Sequence, residues 1–105
     1  MSEYNTIYDN SENIVGILRH GVAWDKDPEK RLGEYDDEFV YNNNTEVLAK
    51  ISDNIVVDII GETIGHISGK ELYLAGEKVG NVIGSTSAGL AAIVLMFSRY
   101  ANENS

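Results

Sequence analysis

Val15-Gly16-Ile17-Leu18, Leu32-Gly33-Glu34-Tyr35, Leu48-Ala49-Lys50-Ile51, Ile64-Gly65-His66-Ile67 and Val79-Gly80-Asn81-Val82 are five versions of one phrase. Each runs aliphatic, Gly or Ala, a variable residue, then another apolar one. The small residues Gly16, Gly33, Ala49, Gly65 and Gly80 are separated by steps of 17, 16, 16 and 15. A step of that size fits one β-hairpin, two strands of about 5–6 residues with two tight turns. The repeat therefore predicts a mainly β fold.

Each phrase has an upstream strand and a turn. Ile7-Tyr8, Val22-Ala23-Trp24, Phe39-Val40-Tyr41, Val57-Asp58-Ile59-Ile60 and Leu72-Tyr73-Leu74 are the upstream strands. Polar loops follow the first three, whereas Gly61-Glu62 and Gly76-Glu77 read as two-residue type II′ turns, which need φ > 0 at their first position. Between hairpins stand further turn-prone stretches such as Arg19-His20-Gly21 and Ser68-Gly69-Lys70. Nothing from 6 to 84 is long enough for a crossover helix. The expectation is an antiparallel meander of about five hairpins, closed as pseudo-symmetric petals or as a small barrel.

Side chains alternate along a strand, so the Gly or Ala and the apolar residue two places on share a face. The aliphatic before it points to the opposite face. Recurring small residues at one height imply close backbone approach, a packing role rather than a ligand-binding one.

After Gly84 the pattern changes. Ser85-Thr86-Ser87 offers helix N-caps, and every position from Ala88 to Phe97 is apolar. A helix greasy all round is buried on all sides. The segment 85–101 spans only about 25 Å as a helix, short of the roughly 30 Å hydrocarbon layer, so no membrane span is expected. The single domain 1–105 thus divides into hairpins 5–84, a hydrophobic helix 85–101 and a frayed tail 102–105. Leu90, Ile93, Leu95 and Phe97 are expected to remain partly uncovered by the short strands and to form a symmetric dimer interface, the competing outcome being full enclosure by the hairpins in a monomer.

Composition narrows function without naming it. Seventeen acidic residues against eight basic ones give a formal charge of −9, which repels nucleic acid and anionic lipid. A basic protein partner is the sharper meaning of that charge; solubility is the plain one. The absence of cysteine excludes disulfides and thiolate metal sites and favours a reducing, cytoplasmic compartment. Residues 1–6 lack the basic and apolar regions of a secretory signal.

The sequence offers few chemical motifs. Gly61 to Gly65 and Gly76 to Gly80 lack the spacing and following helix of a phosphate loop. Asp25, Asp27 and Glu29 alternate like calcium ligands, but Lys30 stands where the sharp-turn glycine belongs and Pro28 stiffens the loop. His20 and His66 fall at different places in their repeats, which disfavours a metal. Ser11, Ser52 and Ser68 lie in turns without a visible base and orienting group. Trp24, Tyr35 and Tyr41 suit either a surface patch or cross-strand pairing. No catalytic residue, cofactor or metal is expected.

Ile7-Tyr8-Asp9 with Val15-Gly16-Ile17-Leu18, and Leu72-Tyr73 with Val79-Gly80-Asn81-Val82, resemble the repeat of the four-fold beta flower family. The resemblance covers about residues 6–84 and implies hairpins set as petals around an axis in a bacterial protein, with no activity or catalytic residues. This chain has five units where that name implies four. A meander ending in a hydrophobic helix is also similar to tubby-like and scramblase-like barrels, which close around such a helix and imply lipid association. The functional expectation is a non-enzymatic protein-interaction module. The alternative is a small-molecule or lipid carrier with an apolar cavity around the helix.

Overall fold

The computed structural model describes residues 4–26 and 30–103. Ten antiparallel strands form a closed barrel. They are β1 (Asn5–Asp9), β2 (Ile14–Arg19), β3 (Val22–Asp25), β4 (Arg31–Tyr35), β5 (Phe39–Tyr41), β6 (Val47–Ser52), β7 (Ile55–Asp58), β8 (Thr63–Ser68), β9 (Glu71–Leu74) and β10 (Glu77–Ile83). Each strand pairs with its sequence neighbours, and β10 returns to β1 through Thr6↔Ile83 and Ile7↔Val82. The meander is as expected, and its closure is a barrel rather than separate petals.

The five phrases occupy one position in the wall. In each hairpin the first strand sets a fully buried apolar residue in the lumen: Ile7, Ala23, Val40, Val56 or Leu72, all with zero exposure. Its cross-strand partner is Gly16, Gly33, Ala49, Gly65 or Gly80 respectively. Directly before that partner the register slips by one residue, leaving Val15, Leu32, Leu48, Ile64 and Val79 as five equivalent β-bulges. A bulge inserts an unpaired residue and breaks the alternation of faces. The aliphatic therefore packs against the core instead of pointing to the opposite face as strict alternation predicts. Bulges also increase bend and twist, which is what wrapping ten short strands into a ring requires.

Two turns differ from expectation. Ala75 and Gly76, with φ of 52° and 86°, make the fifth hairpin turn one residue earlier than Gly76-Glu77, in the two-positive-φ pattern of type I′. The fourth hairpin uses four loop residues, 59–62, because Asp58 ends β7 and its carboxylate gathers the loop amides. At the opposite end, His20 and Gly21 (φ 53° and 78°) link β2 to β3 tightly.

The helix threads the lumen. Helix α1 (Thr86–Ala92) begins at Ser85, whose Oγ accepts the Ala88 N–H at 3.1 Å. It continues as a π-helical turn over Ile93–Phe97, then breaks at Ser98, and α2 (Tyr100–Glu103) follows. The single helix expected over 85–101 is thus interrupted. The Ser98 N–H donates to the Ile93 carbonyl five residues back, and its Oγ donates to the Val94 carbonyl at 2.5 Å. The same Oγ accepts the Tyr100 N–H at 3.1 Å, turning the chain out of the helix axis. Asn102 and Glu103 belong to α2 rather than to a frayed tail, and residues 104–105 lie outside the described part.

Lumen and helix are complementary in size. The helix end with small residues meets bulky wall: a Cβ on Gly89 would approach Ile67, Leu72 and Val82 to 2.9–3.0 Å. The end with large residues meets the wall glycines, where a Cβ on Gly33 would lie 2.9 Å from Leu95 and one on Gly65 2.8 Å from Ile93. Met96 and Phe97 stand likewise against Gly16 and Gly80. Leu90, Ile93 and Leu95 have zero exposure. They are core, enclosed by the barrel, and offer no surface for the dimer contact expected of them; Phe97 is half-buried against the same core.

Candidate functional site

The helix enters the barrel where successive hairpins join and emerges where the hairpin loops gather. At the entry, the Asn5 side chain accepts the Ser85 N–H at 2.8 Å and donates to the Leu18 carbonyl at 2.9 Å. Ser87 donates to Asp37 at 3.0 Å. These bonds fasten the helix start to the wall. At the exit, a different set of polar residues is arranged for contact.

The exit rim is built from a second periodic signal. Asp9, Asp25, Asn42 and Asp58 recur in steps of 16, 17 and 16, each at the point where a first strand gives way to its loop. Asp9 Oδ1 accepts the N–H groups of Ser11 and Asn13 at 2.8 and 3.0 Å. Asn42 Oδ1 does the same for Asn44 and Glu46 at 2.8 and 3.0 Å. Asp58 Oδ1 serves Ile60 and Glu62 at 3.1 and 2.9 Å, and Asp25 Oδ1 takes the Lys26 N–H at 2.7 Å. Acceptor side chains of this kind organise a turn around themselves. Asp9, Asp25 and Asp58 face Gly80, Gly16 and Ala49 across the ladder, so they share the inward face, and Leu74 opposite Gly65 takes the fifth place. The rim thus sets carboxylates around the helix C-terminus, itself the negative end of the peptide dipole.

The amide bonds have electrostatic consequences. Hydrogen bonding from the Asn13 and Ser11 amides holds the Asp9 carboxyl below the usual carboxylate range. At the entry end, the amides of Glu38 and Phe39 and the Tyr41 hydroxyl do the same for Asp36, and that bond raises the Tyr41 hydroxyl in turn.

One part of the exit rim differs from the rest. Ile59 and Ile60, on the loop that Asp58 organises, are 73% and 75% exposed. Beside them a cleft of about 300 Å³ opens between the fourth and fifth hairpins and the end of the helix. Ile64 and Leu74 supply its apolar lining, Asp58 and Glu62 its acid, and Arg99 and Tyr100 its helix side. The Arg99 guanidinium lies over the Tyr100 ring, 5.2 Å from its centre, and donates to its hydroxyl at 3.3 Å.

The other residues marked in the sequence fall elsewhere. Gly16, Gly33, Ala49, Gly65 and Gly80 are buried wall positions. His66 stacks on Tyr73 on the outer surface, 4.6 Å between ring centres, while His20 sits in the entry-end turn between β2 and β3. Trp24 and Tyr41 lie on the outer face in equivalent positions of the second and third hairpins, and Tyr35 packs against the core, so the three do not make one patch. Asp25 caps its loop; Asp27, Pro28 and Glu29 lie outside the described residues. The sequence pattern carries the strand through Ile59-Ile60, whereas β7 ends at Asp58. The period of 16–17 shared by Asp9, Asp25, Asn42 and Asp58 was the signal that placed the loop earlier.

Among the described residues no helix is long and apolar enough to cross a membrane. No protein-family model, no curated protein and no solved structure matches this chain, and the exit rim stands on its geometry alone.

Proposed function

We propose that this chain is a non-enzymatic, cytosolic protein-interaction module that binds its partner with the exit rim. The carrying observation is the adjacent pair Ile59 and Ile60, about three-quarters exposed on a loop tied down by Asp58. Large aliphatic side chains at a loop tip lose favourable burial unless something covers them. Ordering that loop in advance lowers the entropic cost of association. The charge of −9 supports a basic partner and disfavours nucleic acid and anionic lipid. A carrier draws no support from the lumen, since the side chains of Leu90, Ile93 and Leu95 fill it.

The test is affinity capture from the native host with the wild-type chain and with Ile59→Ser/Ile60→Ser, followed by mass spectrometry. A protein retained by the wild type and lost with the double variant supports the module. Equal retention of every captured protein rejects the exit rim as its binding surface.

A further inference from the structure

We infer that the cleft beside Ile59 and Ile60 receives a lysine side chain of the partner, a specificity determinant that rests on the interaction-module reading above. Asp58 is 6% exposed, so its carboxylate is largely withdrawn from water. Its Oδ1 is fully engaged by the amides of Ile60 and Glu62. Its Oδ2 accepts no hydrogen bond, and Asp58 forms no ion pair among the described residues. That oxygen is not sealed inside the protein either, and Asp58 lines the cleft. A carboxylate this withdrawn, with one oxygen open to a cleft, is completed by a cationic donor.

The cleft also has a cation in its lining. Arg99 lies over Tyr100 and donates to its hydroxyl. Among the described residues no group of three or more ligating side chains gathers to hold a metal ion. A volume of about 300 Å³ lies at the small end of ligand sites and suits one long side chain better than a lipid tail. Ile64 and Leu74 offer apolar surface for a methylene stem, and Glu62 adds a second acid for its head.

The geometry also separates lysine from arginine. Arginine gains most from a bidentate carboxylate with both oxygens free. Here one oxygen already serves the loop amides, leaving a single acceptor. An ammonium, a compact point charge with three rotatable donors, suits that arrangement better.

The experiment selects a displayed library of random dodecapeptides against the wild-type chain. Selected peptides are then measured by titration calorimetry against wild type, Asp58→Asn and Ile59→Ser/Ile60→Ser. The asparagine keeps an oxygen for the loop amides, so the loop is retained; circular dichroism checks the fold. The expected result is lysine enriched beside apolar residues and an affinity loss of about tenfold or more with Asp58→Asn. Replacing the peptide lysine by norleucine should cause a similar loss, and Asp58→Asn should then add little. Peptides without enriched lysine, or binding Asp58→Asn undiminished while losing Ile59→Ser/Ile60→Ser, would overturn the cleft proposal and leave the module standing. If no peptide is selected, or selected peptides bind all three proteins alike, both readings fail.

Discussion

A single missing Cβ decides whether the helix fits. At Gly65 an added Cβ would run into the Tyr73 carbonyl of the neighbouring strand and approach Ile93 of the helix to 2.8 Å, so both wall and core would have to move. Gly65→Val should therefore cost more than about 2 kcal/mol, read as a shifted urea midpoint. At the rim and the entry end the relevant group is a carboxylate. Asp9 and Asp36 titrate below 3.8 in the folded state because backbone amides donate to them. The unfolded chain then binds more protons in the window below that value, so their contribution is present above it and is lost as pH falls through the lowered folded pKa. Asp9→Asn/Asp36→Asn, which retains an acceptor for the amides, should lose less stability than wild type between pH 5 and pH 2 in urea titrations. The wall glycines were legible in the sequence because five similar phrases announce one environment. The burial of Asp58 was not, because its 16–17-residue period with Asp9, Asp25 and Asn42 marks a loop-organising acceptor and carries nothing about how far the carboxylate is withdrawn from water.

At the scale of elements, hairpin number, strand direction and the presence of a terminal helix were all legible. The five bulges were not. A bulged Val15 or Ile64 has the same composition as a paired one, and only the ladder shows that its neighbour across the sheet has been skipped. The break at Ser98 escaped for a similar reason: Ser98 bonds to Val94 and Tyr100, a local competition between side chain and helix that apolar content does not predict. The π turn suits its surroundings, since i→i+5 bonding widens the helix where it meets wall glycines on separate hairpins. The helix is a structural element of the core rather than an appendage. Leu95→Glu places a charge where there is no exposure and should abolish the cooperative thermal transition seen by circular dichroism, instead of leaving folded strands with an altered mass. Folded strands that merely change oligomeric state in light scattering would contradict the enclosure.

At the scale of the whole molecule, the described strands make a ring without a free sheet edge, closed on itself through β1 and β10 and filled by the helix that follows β10. Closure removes the unpaired strand that would otherwise template aggregation. It also makes opening a global event, so amides from Leu90 to Leu95 should exchange with solvent only at the rate of complete unfolding, as hydrogen-exchange mass spectrometry can measure. The same enclosure has a consequence for the order of events during synthesis. Hairpins emerge first, but the lumen they enclose has no filling until residues 88–97 have been made. Domains commonly consolidate as their residues leave the ribosome. Here the hairpins must wait, their apolar faces unsatisfied, until the apolar stretch that follows them can enter and the ring can shut around it. A nascent chain stalled before Gly84 is thus the state of this protein most exposed to proteases and chaperones.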